Sequence, residues 1–267
     1  GLVIHAPLIF WSPDFAKVYG IDNVAPAQEW INIMGRFISN WRMPLFFLLS
    51  GFFAILVIER KGISQFLRDR IIRVGLTCLI FSSLYDISDG SFDFTTLHLW
   101  FLFELMIIVL VFSLLYRLKM IKKLLSMKLT PKIFFFLTLW LISSVPLAFI
   151  LNNWWHPLAL KASTSYFDLK IGNMLYYFSY FLVGVILYSN QKIFIKLKNI
   201  KTIFLLGSLS LFAFLLRIYS DHLTIGQADS LRNIAQIQFD PILVFFNACM
   251  IGINSILLCL LFIGLAS

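Results

Sequence analysis

Four ionisable side chains fall where their neighbours are apolar enough for lipid: His5, Arg42, His98 and Glu104. A charge at the centre of a membrane span costs about 3 kcal/mol on insertion scales, so such residues usually face a bundle interior or a wet cavity and mark reaction centres or solute paths. His5 lies in Ile4-His5-Ala6-Pro7, about two turns inside the outer end of its helix. A neutral imidazole there is well suited to take or give a proton near pH 7; the bland alternative is a satisfied structural histidine. Arg42 opens the run Trp41-Arg42-Met43-Pro44-Leu45-Phe46-Phe47. It can snorkel to the headgroups, or Met43-Pro44 can hold it in place over a substrate. His98 and Trp100 begin His98-Leu99-Trp100-Phe101-Leu102, as an interfacial pair or as substrate-binding groups, and Glu104 lies nearly two turns deeper as a catalytic residue or as a structural partner of Arg42. Counted from the tryptophan belt, all four ionisable groups occupy the outer half of the membrane and converge if their helices are neighbours.

On the opposite side, Phe66-Leu67-Arg68-Asp69-Arg70-Ile71-Ile72-Arg73 sets Arg70 and Arg73 three apart, on one face where the third helix begins. Guanidinium forks suit phosphate, so this pair is either a docking point for a phosphate-bearing anion or ordinary cytoplasmic charge. The sequence contains no Walker loop, no G-x-S-x-G elbow, no H-E-x-x-H and no dinucleotide fingerprint, so ATPase and metalloprotease chemistry have no support. Cys78, Cys249 and Cys259 sit in apolar runs without metal-ligand spacing and read as small buried hydrophobes. No metal site is expected.

The elements that must position these groups follow from composition. Of 267 residues, 60% are hydrophobic and only 13% charged, with 29 phenylalanines. A soluble domain carries about 25% charged residues; this chain cannot cover a core with polar surface. It is read as an all-α polytopic membrane protein. Full runs are expected at about Trp41–Ile58, Ile71–Tyr85, Leu97–Tyr116, Ile133–Leu151, Ile171–Tyr188, Ile203–Tyr219 and Ile242–Leu265. With the half-length run Gly1–Trp11 they make a bundle of about eight transmembrane helices, the first partial. Most of the 22 basic residues fall in three loops, around Arg60–Arg73, Arg117–Lys132 and Lys192–Lys201. The alternate loops carry the aspartates, among them Asp86, Asp89, Asp168, Asp221 and Asp240. By the positive-inside rule the basic loops are cytoplasmic and the Asp-bearing loops face out. The net charge of +9 is thereby explained without nucleic acid.

These residues, in this order, resemble the acyltransferase-3 membrane family, most closely its glucan-biosynthesis branch. The resemblance rests on His5, on Trp41-Arg42-Met43-Pro44-Leu45-Phe46-Phe47-Leu48-Leu49-Ser50-Gly51-Phe52-Phe53, on Arg70 with Arg73, on His98–Leu102, and on Tyr177-Phe178-Ser179-Tyr180-Phe181-Leu182-Val183-Gly184. It covers roughly residues 1–190 in motif order; beyond residue 200 only generic apolar helices are recognisable. It implies one transmembrane acyltransferase domain over residues 1–267, truncated at both ends, from a parent of about ten helices in a bacterial inner membrane. It further implies transfer of an acyl group, acetyl or succinyl, from cytoplasmic acyl-CoA to a hydroxyl of a periplasmic or cell-surface glycan. His5 corresponds to the family's essential histidine, as base or acyl carrier, and Arg42, Arg70 and Arg73 to its important arginines. Acyl-CoA is then a donor substrate rather than a resident cofactor, and the partners are the donor, the glycan acceptor and the lipid bilayer. Such chemistry needs a base or nucleophile and positive charge near the developing oxyanion; Arg42 fits the oxyanion or a succinyl carboxylate, and Arg70 and Arg73 the phosphates of CoA. Two other classes compete: a transporter or flippase for an anionic or saccharide solute, which moves substrate without consuming acyl-CoA, and a non-catalytic membrane scaffold, in which none of the four intramembrane groups matters.

Overall fold

The computed structural model describes residues 29–89, 99–153, 165–225 and 240–267, and these are helical almost throughout. Helix α1 (Glu29–Arg70) runs through a π-helical segment (Ile71–Leu76) into α2 (Thr77–Asp89). There follow α3 (Trp100–Arg117), the short α4 (Met120–Leu125), α5 (Pro131–Leu151), α6 (Ile171–Ser189), the short α7 (Lys192–Leu197), α8 (Ile200–Ile225) and α9 (Pro241–Ala266). Among the described residues six stretches are long and apolar enough to cross a membrane, the first of them Ile33–Leu84 with 52 residues. At 1.5 Å per residue that stretch is about 78 Å long, more than twice a hydrocarbon core of about 30 Å. It is two crossings, divided at Gly62, whose φ of 80° and ψ of 163° are accessible only to glycine at low cost. The protein is an all-α, multi-pass membrane bundle, and the partial first helix expected near Gly1–Trp11 lies outside the described residues.

Local chemistry explains several helix ends. Thr130 accepts from the Ile133 amide at 3.3 Å with Pro131 in the first turn of α5, and Asp240 accepts from the Ile242 amide at 2.8 Å with Pro241 opening α9. Lys119 and Asn153, with φ of 63° and 47°, end α3 and α5 in the left-handed conformation that satisfies last-turn carbonyls. The ends then pair by sign of charge. At the basic end the Tyr188 hydroxyl donates to Glu59 at 2.5 Å, and Asn190 binds the backbone at Met127 and Leu129. At the other end Asn152 donates to Asn173 and accepts from the Gly172 amide.

Helices in lipid gain little from hydrophobic association and pack instead through close backbone approach. A Cβ at Gly51 of α1 would strike the Phe181 carbonyl of α6, and one at Gly184 of α6 would strike the Leu48 carbonyl of α1. Gly172 also lies against the Ala148 backbone of α5, and Gly252 of α9 less tightly against the backbone of Ile142 of α5. Helix α9 also meets two proline bends. Pro44 has no N–H, so the Asn40 carbonyl four residues earlier lacks its helical donor; the Ser255 hydroxyl sits 2.6 Å from that oxygen. Pro146 deprives Ile142 likewise, and Gly252 lies against that turn.

The boundaries differ from those expected in three places. Helix α1 starts no later than Glu29, so Trp41 and Arg42 lie well inside it; Trp41 packs against Phe262, with ring centroids 4.1 Å apart and planes tilted by 36°, instead of marking an outer helix end. The second arm begins just after Gly62, so Arg70 is about two turns into it and Arg73 falls in the π-helical segment. Asp86 and Asp221, assigned to outward loops, are buried helical residues of α2 and α8. The common cause is that polar residues shorten an apolar run even when the helix continues through them and buries them against a neighbour.

Candidate functional site

Tyr177 on α6 is the hub of the first polar group in the bundle. It is buried and interacts electrostatically with both Arg42 of α1 and Glu104 of α3. Its ring stacks on Phe47 at 4.5 Å and lies 5.8 Å from the ring of Trp100. Three residues singled out in the sequence, Arg42, Glu104 and Trp100, are thus brought together by a fourth that had been noted only as part of a family stretch. Tyr177 lies about 9 Å along α6 from its acidic end. Glu104 is fully buried, whereas Arg42 is half-buried with its Nε atom making no hydrogen bond. Buried donors of that kind are costly unless used; this one suits an incoming carbonyl or carboxylate oxygen.

A second group, unforeseen in the sequence, lies one helix contact away. Arg36 Nη1 of α1 is 2.9 Å from Asp221 of α8, Arg217 Nε is 3.8 Å from the same carboxylate, and the Asn247 amide of α9 donates to it. Asp221 is fully buried and Arg217 nearly so. Tyr176 links the two groups: it interacts with Arg217, its ring lies 5.0 Å from that of Tyr177, and its hydroxyl donates to Ser255 at 3.2 Å. Ser255 in turn reaches Asn40, two residues before Arg42. A polar string therefore crosses the bundle from Arg36 to Glu104. Its sequence signal was the pair of tyrosines at 176 and 177 and an arginine, Arg217, within an otherwise apolar run.

His5 and His98 lie outside the described residues. Arg70 and Arg73 are neighbours and interact electrostatically; the Arg70 guanidinium also sits over the Phe66 ring, 5.5 Å from its centroid, while Arg73 is exposed. They lie on the second arm of α1, away from Tyr177 in chain position and toward the basic end. Cys78 and Cys259 are buried and Cys249 half-buried, all as free thiols. Among the described residues no cluster of His, Cys, Asp or Glu has the makings of a metal site.

A membrane bundle with buried arginine, carboxylate and tyrosine groups defines a class of intramembrane polar-site proteins, and the family comparison specifies it. The model of the acyltransferase-3 family, described as an acyltransferase domain, matches residues 4–265, and the chain belongs to that family. Among curated proteins it is similar to glucans biosynthesis protein C of Escherichia coli, from strains K12, K12 / DH10B and K12 / MC4100 / BW2952. The identity is 29% over 79 residues, which is 30% of this chain and 19% of each relative. The matched segment thus spans about a fifth of the relatives' length. No solved structure matches.

Proposed function

We propose that the protein is an integral-membrane O-acyltransferase of a bacterial inner membrane, moving an acetyl or succinyl group from cytoplasmic acyl-CoA to a hydroxyl of a periplasmic or cell-surface glycan. The observation that carries this reading is the convergence of Arg42, Glu104 and Trp100 on Tyr177 inside a chain of the acyltransferase-3 family. Family membership supports the reaction class, and the name of the similar glucan-biosynthesis proteins supports a saccharide acceptor.

In the reaction the acceptor hydroxyl oxygen bonds to the thioester carbonyl carbon, its proton passes to a base, and the carbon–sulfur bond breaks to release the CoA thiolate, which takes up a proton. His5 is the base, or the carrier that holds the acyl group between two such steps. Arg42 offers its Nε donor and positive charge to the oxyanion, or holds a succinyl carboxylate. Glu104 balances Arg42 across Tyr177, while Trp100 is assigned to the acceptor sugar, a role the sequence also gives to His98. Arg70 and Arg73 meet the donor at the basic, cytoplasmic end.

The test is acyl transfer to a purified glycan acceptor by the full-length protein in lipid nanodiscs, with free CoA thiol as readout. His5→Gln and Arg42→Gln are each expected to lower transfer about 100-fold or more while folding and insertion are unchanged. Movement of glycan across the membrane without CoA release would overturn the reading in favour of a transporter. Wild-type transfer by both variants would remove the site.

A further inference from the structure

The basic end of the bundle holds a cavity of about 870 Å³ between the segment leading into α5, the last turn of α6 and the short helix α7. Cavities of about 300–1,000 Å³ are the size that takes a cofactor-sized ligand. Three exposed lysines line it, Lys128 from the first segment and Lys192 and Lys196 from α7, and among the described residues no acidic side chain does. We propose that this cavity binds the phosphate-rich end of the acyl donor, a polyanionic nucleotide; the inference rests on the acyl-CoA-dependent reading above and locates its donor site.

Two features separate the cavity from ordinary cytoplasmic surface charge. The first is a fixed frame. The Asn190 side chain accepts from the Leu129 amide at 2.9 Å and donates to the Met127 and Ile186 carbonyls, each at 2.9 Å, clamping the Lys128 segment to the end of α6. Tyr188, also in the lining, donates to Glu59 of α1, a carboxylate that lies outside the lining. Helix α7 is anchored from behind by Leu197, which is buried against Gly264 of α9. The second is the placement of charge on that frame. Lys192 and Lys196 are four apart on one face of α7, a like-charge spacing that weakens a helix. The first turn of the 21-residue helix α5, with Thr130 as its cap, opens into the same cavity and adds the positive end of the helix dipole. Cations from two segments and a helix N-terminus meeting in one concave, acid-free space is the arrangement that a string of phosphates requires.

The same chemistry would hold the phosphate of an anionic lipid, so the experiment separates the two sources. Full-length protein is placed in phosphatidylcholine nanodiscs and coenzyme A binding is measured by calorimetry for wild type, for the triple variant Lys128→Gln/Lys192→Gln/Lys196→Gln and for the triple Arg counterpart. The Gln variant is expected to bind coenzyme A at least about tenfold more weakly, with a shallower salt dependence, and the Arg variant to retain binding. Equal affinity of the Gln variant and wild type overturns the proposal. So does a Gln variant that keeps its coenzyme A affinity but loses preference for phosphatidylglycerol discs, which would make the cavity a lipid-headgroup site. Acyl transfer is followed in parallel: if wild type transfers from acyl-CoA while the Gln variant binds coenzyme A normally, only the cavity assignment falls. If wild type neither binds coenzyme A nor consumes acyl-CoA, the donor reading itself falls and the cavity with it.

Discussion

Arg36 and Asp221 are 185 residues apart in sequence, yet Arg36 Nη1 lies 2.9 Å from the Asp221 carboxylate, joining α1 to α8 inside the bundle. Asp221 is fully buried and also faces Arg217 and Asn247, so its charge compensates two arginines and its carboxylate joins three helices. Removing one partner of a buried charged set leaves the others uncompensated and costs about 3–5 kcal/mol. Asp221→Ala is therefore expected to unfold the protein well below the wild-type melting temperature. Arg36→Ala should be milder, since that side chain is 27% exposed and its loss still leaves Arg217 beside Asp221. Melting curves in detergent check both, and a wild-type curve for Asp221→Ala would show that the cluster holds nothing together.

Gly51 and Gly184 make a reciprocal contact in which each glycine faces the other helix's backbone. No flexible side chain can move aside there. Gly51→Ala or Gly184→Ala must separate α1 from α6 and with it Arg42 from Tyr177. Overpacking of this kind typically costs about 1–3 kcal/mol, so each variant should melt lower and, on the proposed function, transfer acyl groups more slowly. Gly207→Ala is the control, because a Cβ there meets nothing within 4 Å. Equal behaviour of all three would refute the packing argument.

The helices were legible because apolar runs of about span length are the strongest signal a membrane sequence carries. Arg42, Glu104 and Trp100 were legible as polar or interfacial residues within such runs. The Arg36 cluster was not. Arg36, Asn40 and Asp221 interrupted the apolar pattern and so placed themselves outside the expected spans, although each is compensated by a helix distant in sequence. Tyr177 was hidden by its type: a tyrosine among phenylalanines reads as packing until its neighbours are known. The turn at Gly62 was obscured by the charges around it, which place the second arm's start later than its backbone does.

Tyr166, in the segment before α6, offers a pH-dependent test. Its hydroxyl lies 2.5 Å from Ser82 Oγ and donates to the Cys78 carbonyl at 3.2 Å on α2. Burial first, and then its hydrogen bond with Cys78, push the phenol up to about 12. In the unfolded chain the phenol ionises near about 10. The raised native value means that the fold holds the proton more tightly, so this contribution is complete below about pH 10 and is lost as the pH climbs toward about 12. Tyr166→Phe should be less stable than wild type at pH 8, and the gap should shrink above about pH 10. Melting temperatures across that range decide it; a constant gap would mean that the phenol does not titrate against folding.

Ser255 and Pro44 should be energetically coupled. Pro44 leaves the Asn40 carbonyl without its helical donor, and the Ser255 hydroxyl lies 2.6 Å from that oxygen while also reaching the Ile251 carbonyl at 2.8 Å. Ser255→Ala orphans a buried carbonyl, at a cost of about 1–3 kcal/mol, and frees the bend that carries Arg42. Its effect on transfer should fall on kcat more than on KM, because Arg42 is proposed to meet the oxyanion rather than the bound ground state. Pro44→Ala returns an amide donor to Asn40, so in that background the same Ser255→Ala change should destabilise clearly less. The interactions of Ser255 with Ile251 and Tyr176 are common to both backgrounds and cancel in the cycle. Purified full-length wild type, both single variants and the double variant are compared by denaturant unfolding. A coupling of about 0.5 kcal/mol or more identifies Ser255 as the group that completes the proline bend, whereas additive effects would leave it as an independent packing residue of α9.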